Sequence, residues 1–188
     1  MKPRKLALLA LLAYVTSCST PDHPDLHGSD HADSTPTRSE ATSTSAPALG
    51  GVDLENMNAC QVLPDEVLME IGVAATSARD LSNGVTTSCY WLAADSSFSL
   101  DLVLNSKAGL DEAEAARSAF QEFDQVQIGG LAAVRTDPRG APTCRFWVGV
   151  SADQSFSAGA QVVLGEQDDL CVKAEHLAGA VVDALRVR

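Results

Sequence analysis

The chain has 188 residues, a formal net charge of −12, and 45% hydrophobic but only 5% aromatic residues. That length suits one compact domain with some tail. The acidic balance excludes nucleic acid, which is held by basic faces that release counterions, and excludes adhesion to anionic lipid headgroups by charge alone.

At the N-terminus Lys2, Arg4 and Lys5 precede an apolar run from Leu6 to Val15. The run is too short to span a bilayer as a helix, and its basic flank marks residues 1–17 as a signal peptide. The stretch Val15-Thr16-Ser17-Cys18 resembles the lipobox of bacterial lipoproteins. The resemblance implies cleavage before Cys18 and acyl lipid, palmitate included, on its sulfur and new amino group. It sets the expected location at the extracytoplasmic face of the cell membrane, with the bilayer as a partner through that lipid. Cleavage there removes three basic residues and no acidic ones, taking the charge from −12 to −15.

Residues 18–51 are rich in Ser, Thr, Pro, Asp and Gly, with Leu26 and Leu49 their only large apolar side chains. Such a segment cannot offset the entropy of ordering, so it reads as a disordered tether with a reach of about 30 Å. Within it, His23, His27 and His31 recur four apart among Asp22, Asp25, Asp30 and Asp33. Imidazoles at that spacing on a helix could hold zinc, copper or nickel. Pro24 and Gly28 interrupt any such helix, so a metal would have to be wrapped by loose chain, and a polar linker is the simpler reading. No resident metal or other cofactor is expected.

Residues 52–188 are expected to form one globular domain. Pro64, the acids Asp65 and Glu66, the apolar Val67, Leu68 and Ile71, and then Gly72 mark a short first helix. Ser82-Asn83-Gly84 is a turn signal, and Val85 to Leu92, with Cys89, Tyr90 and Trp91, reads as a strand. Phe98, Leu100, Leu102 and Leu104 alternate with Ser99, Asp101, Val103 and Asn105, as in a strand with one buried face. Leu110, Ala113, Ala116, Phe120 and Phe123 follow helical spacing, which predicts a second helix. Val126, Ile128 and Leu131 to Val134 predict a strand bent or bulged at Gly129-Gly130. Asp137-Pro138-Arg139-Gly140 is a turn signal.

Two more strands follow, one with Cys144, Phe146, Val148 and Val150 on its apolar side, the other with Phe156, Ala158, Ala160, Val162 and Leu164. Ala152-Asp153-Gln154 suits the hairpin between them. Asp168-Asp169 is expected to cap a last helix whose apolar stripe is Leu170, Ala174, Leu177, Ala178, Val181 and Leu185. The predicted fold is therefore α+β, an antiparallel sheet of about five strands flanked by three helices in the order α-β-β-α-β-β-β-α.

With Cys18 set aside, Cys60, Cys89, Cys144 and Cys171 form an even set in an exported chain and predict two disulfides. Four cysteines allow three pairings, and spacing by itself does not choose among them. A last helix laid on the apolar face that carries Cys144 would bring Cys171 to it, and the same logic joins Cys60 to Cys89. We therefore expect Cys60 with Cys89 and Cys144 with Cys171.

Taken in order, the lipobox, the tether, Cys60 with Val62-Leu63-Pro64, Cys89-Tyr90-Trp91, Gly130-Leu131-Ala132-Ala133, Cys144 and Cys171 resemble an actinobacterial lipoprotein family. That family is known by a domain-of-unknown-function label, number 3558. It implies an envelope setting and a cysteine frame, and it transfers no catalytic residue.

No catalytic motif stands out. His176 is the one histidine of the folded part and falls beside the stripe of its helix, where a satisfied histidine is a simpler reading than a general base. No serine lies in a G-x-S-x-G or S-x-x-K context. Trp147 falls in step with Arg145 on the polar side of its strand, and with Trp91 they form a candidate binding surface, since aromatics beside arginine favour interfaces. The expected function is a lipid-anchored, non-catalytic envelope protein that binds a ligand or protein partner outside the membrane. The alternatives are an accessory regulator of a membrane signalling or transport system, and metal capture by the histidine tether.

Overall fold

The computed structural model describes residues 48–138, 142–165 and 169–188. The lipobox with Cys18, the tether histidines His23, His27 and His31, and the predicted cap residue Asp168 lie outside the described residues. Among the described residues three helices, α1 (Asp65–Ile71), α2 (Asp111–Ala115) and α3 (Leu170–Arg186), accompany seven strands. The strands are β1 (Arg79–Asp80), β2 (Thr87–Leu92), β3 (Phe98–Asn105), β4 (Phe120–Ile128), β5 (Leu131–Pro138), β6 (Thr143–Gly149) and β7 (Ser155–Val162). They form one antiparallel sheet in the order β1-β2-β3-β7-β6-β5-β4. The α+β class and the antiparallel sheet agree with expectation, whereas seven strands replace about five.

The additional strands have distinct causes. Arg79 and Asp80 make a two-residue edge against Tyr90 and Cys89, too short and polar to announce itself in the sequence. The glycine pair is a hairpin turn rather than a bend inside one strand. Ile128 pairs with Leu131, and Gly129 and Gly130 between them have φ of 54° and 79°. Two successive positive φ values define the turn whose twist matches a hairpin, and glycine adopts them without steric cost.

The second helix is also shorter than predicted, since α2 ends at Ala115 and Phe120 already belongs to β4. Phe120 and Phe123 are three apart, which in a regular strand would put them on opposite faces. The register skips Gln121, so Phe120 opposes Pro138 and Phe123 opposes Thr136 on one face, with ring centroids 6.3 Å apart. A bulge thus gives a strand the apolar spacing of a helix.

Helix α3 lies across β6 and β7 and buries Ala174, Leu177, Ala178, Val181, Val182 and Leu185. Beneath it the sheet presents Leu100, Leu102, Leu104, Phe146, Val148, Phe156 and Ala158, all in the core. Each fully buried Leu, Val or Phe contributes about 1.5 to 3 kcal/mol before the entropy of ordering is counted. Helix α1 packs beside α3 and ends at Gly72, whose φ of 95° is the left-handed cap that glycine tolerates. Two disulfides, Cys60–Cys89 and Cys144–Cys171, pin the first turn and α3 to the sheet, with Cα atoms 5.0 and 5.1 Å apart. Among the described residues no helix is long and apolar enough to cross a membrane.

Candidate functional site

The sheet face away from α3 carries a rung that crosses all seven strands: Arg79, Tyr90, Asp101, Gly159, Arg145, Thr136 and Phe123. Arg145 is not a free cation on this rung. Its Nη1 donates to Asp101 Oδ2 at 2.7 Å and to Ser157 Oγ at 2.9 Å, and its Nη2 donates to Asp101 Oδ1 at 2.9 Å. Trp147, one residue pair along, donates from Nε1 to Thr136 Oγ1 at 3.2 Å. Both side chains are partly buried and spend their polar groups within the domain.

Trp91 does not join them. It lies on the opposite face, fully buried under the helices, and its indole N–H finds no hydrogen-bond partner among the described residues. Strand alternation explains the separation: Trp91 pairs with Leu100, whereas Tyr90 pairs with Asp101 and leads to Arg145. The expected three-residue surface is thus reduced to Arg145 and Trp147, and these serve the fold.

A second feature lies on the outer side of α3. Val62, Leu63 and Val67 face Ala180, Ala184 and Val187 across an open groove of about 590 Å³. Arg188 closes one end by donating to the carbonyls of Gln61 and Val62 at 3.1 and 3.4 Å. On the other flank of α3 a smaller hollow of about 370 Å³ runs over Ile128 and Gly129, with Val172 66% exposed beside it. The two hollows share His176 and Gly179, so they meet in a saddle across the helix. The rim carries the carboxylates Glu70, Glu175 and Asp183, the last paired with Arg186 at 3.4 Å.

Gly179 stands in the tenth position of this seventeen-residue helix, and a Cβ built on it would meet nothing within 4 Å. Mid-helix glycine costs about 1 kcal/mol relative to alanine. Among the described residues no group occupies the space that this glycine leaves. The signal was present in the sequence as a glycine amid Leu177-Ala178 and Ala180-Val181, although the groove itself needs α1 alongside.

The third feature surrounds Asp137, which the turn signal assigns to a loop and which instead lies within β5, one residue before its end. Asp137 opposes Glu122, while Arg135 bonds Glu122 at 3.1 Å and Asp124 at 2.6 Å. The Asp124 carboxylate is the main reason that Arg135 holds its proton more firmly than usual. Asp137 Oδ1 is buried without a hydrogen-bond partner among the described residues. Burial first, and then the contact with Glu122, push its pKa above the ordinary 3.8. A carboxylate oxygen of Asp137 and the sulfurs of Cys144 and Cys171 all lie within 4.8 Å of one another. That trio has the composition of a metal site, but the two sulfurs are bonded to each other and lack the thiolate charge that metal binding needs.

His176 is exposed on α3 rather than buried against its stripe. Comparison with known proteins gives one finding: the family model described as a protein of unknown function (DUF3558) matches residues 13–184. No curated protein and no solved structure matches the chain. The family match runs from the apolar N-terminal segment to the last turn of α3 and takes in all four disulfide cysteines, so the chain belongs to the DUF3558 family.

Proposed function

We propose that the chain is a lipid-anchored envelope protein, non-catalytic, that holds a basic amphipathic segment of a partner protein in the saddle over Gly179. The observation that carries this reading is that glycine. A residue that weakens its own helix, with open space above it, is accounted for by a partner whose backbone approaches closely there. The groove walls supply apolar contact through Val67, Ala180 and Val187, and the rim carboxylates Glu70 and Glu175 favour a cationic occupant. The overall charge of −12 acts in the same direction. Acyl lipid on Cys18 would hold the domain at the membrane, with residues 18–51 as spacer.

The test is to titrate the full chain with a synthetic basic amphipathic peptide and with its acidic counterpart, following the amide NMR signals of α3. Binding of the basic peptide alone, with shifts centred on Gly179 and His176, and its loss in Gly179→Trp, is the expected result. Equal binding of both peptides, or undiminished binding by Gly179→Trp, overturns the reading. Replacing Cys18 by Ala should independently move the protein out of the membrane fraction, and retention there overturns the lipid anchor.

A further inference from the structure

The geometry points to Cys144–Cys171 as an exchange-active disulfide that accepts electrons from a partner dithiol, with Asp137 as its proton donor. Two observations, the helix start at Cys171 and the carboxyl group of Asp137, converge on this pair and not on Cys60–Cys89. Cys171 is the second residue of α3, a seventeen-residue helix, where the unsatisfied N–H groups favour a thiolate. Cys60 starts no comparable helix, since its turn spans three residues. Cys171 is partly exposed while Cys144 is 2% exposed, so an incoming thiolate meets Cys171, just as it would meet Cys60 rather than the buried Cys89 in the other pair. Finally, the Asp137 carboxyl group lies within 4.8 Å of both sulfurs, and no carboxylate stands in that relation to Cys60 and Cys89 among the described residues.

The chemistry follows from these positions. A thiolate of the dithiol attacks Cys171 Sγ, a new S–S bond forms to it, and the Cys144–Cys171 bond breaks with its electron pair going to Cys144. A thiolate buried at 2% exposure is costly, and the Asp137 carboxyl proton neutralises it. The second thiolate of the dithiol then attacks the partner sulfur of the mixed disulfide, and Cys171 departs as a thiolate at the head of α3. The dithiol is oxidised to a disulfide and the protein pair is reduced to two thiols, with two electrons transferred. The charges facing Asp137 are Glu122 and Asp124 from β4 and Arg135 from β5. On α3, Asp169 and Lys173 are paired with each other at 2.9 Å.

The test exposes the folded full chain to reduced glutathione, quenches with an alkylating label, and reads all four cysteines by mass spectrometry. Both disulfides meet the same reductant, so the ratio of their opening rates cancels its titration. Cys144–Cys171 should open on the order of tenfold faster, with glutathione captured on Cys171. The ratio should fall as pH rises through the raised native pKa of Asp137, because its proton is then lost. In Asp137→Asn the ratio should be lower and flat with pH. Equal opening rates, glutathione on Cys144, or a wild-type ratio unchanged by pH each overturn the proposal, and the wild-type measurements decide it even if the variant misfolds.

Discussion

Arg145 on β6 grips Asp101 on β3 across the intervening strand β7, with hydrogen bonds of 2.7 and 2.9 Å passing over Gly159. The pair spans two strand spacings because the residue between them has no side chain. A Cβ on Gly159 would stand 2.6 Å from Asp101 Oδ1 and 2.8 Å from Arg145 Nη2.

Gly159→Ala should therefore open the ion pair rather than displace the strand, since the atoms in the way are the ends of flexible side chains. Both partners are about a quarter exposed, at 27% and 25%, so the cost expected in urea unfolding is modest. We expect about 1 to 2 kcal/mol. Asp101→Asn should cost much less in the Gly159→Ala background than in the parent, a non-additivity that a double-mutant cycle reads directly. Additive effects would show that the pair survives the methyl group.

Helix α3 offers a prediction of opposite sign. Gly179→Ala adds a Cβ into open space and removes the helix penalty of glycine, so it should stabilise the domain by about 0.5 to 1 kcal/mol. Thermal unfolding measures this, and a lowered midpoint would mean that Gly179 is needed by the fold itself.

Each disulfide closes a comparable loop, with sequence separations of 29 and 27. Replacing both cysteines of either pair with alanine should cost about 3 to 4 kcal/mol on the chain-entropy argument. Denaturant unfolding of the two double variants should give similar losses. A loss confined to one pair would show that the other loop is already constrained in the unfolded chain.

Asp137 makes stability depend on pH in a definite direction. Its native pKa is raised above the ordinary 3.8, so the folded chain binds the proton more tightly than the unfolded one. The stabilisation is complete below that ordinary value and is lost as pH rises through the raised native value. Asp137→Asn keeps a neutral group throughout. Its stability relative to the parent should therefore increase with pH across that window and level off above it, measured by urea unfolding at a series of pH values. A difference independent of pH would show that Asp137 ionises normally in the fold.

Much of the fold was legible because it rests on local patterns. The alternation through Phe98 to Asn105, the stripe from Leu170 to Leu185 and the stop at Gly72 report which face is buried, and burial dominates those elements. Phe120 and Phe123 misled because a one-residue bulge imitates helical spacing, and Gly129-Gly130 because a turn and a bend use the same residue. The candidate site was scarcely legible. Arg145 and Trp147 looked free because Asp101 and Thr136, which occupy them, lie 44 and 11 residues away.

The α+β class and the alternation that places Cys144 under a terminal helix are written in the chain's local pattern, because they follow from backbone periodicity and the burial of apolar faces. What the polar groups do was settled by long-range packing. That packing spent Arg145 on Asp101, buried Trp91 on the far face, opened the saddle at Gly179 and set the Asp137 carboxyl beside Cys144–Cys171. Each of these depends on which strands are neighbours across the sheet and which helix lies alongside, and such proximity is a property of chain segments far apart in sequence.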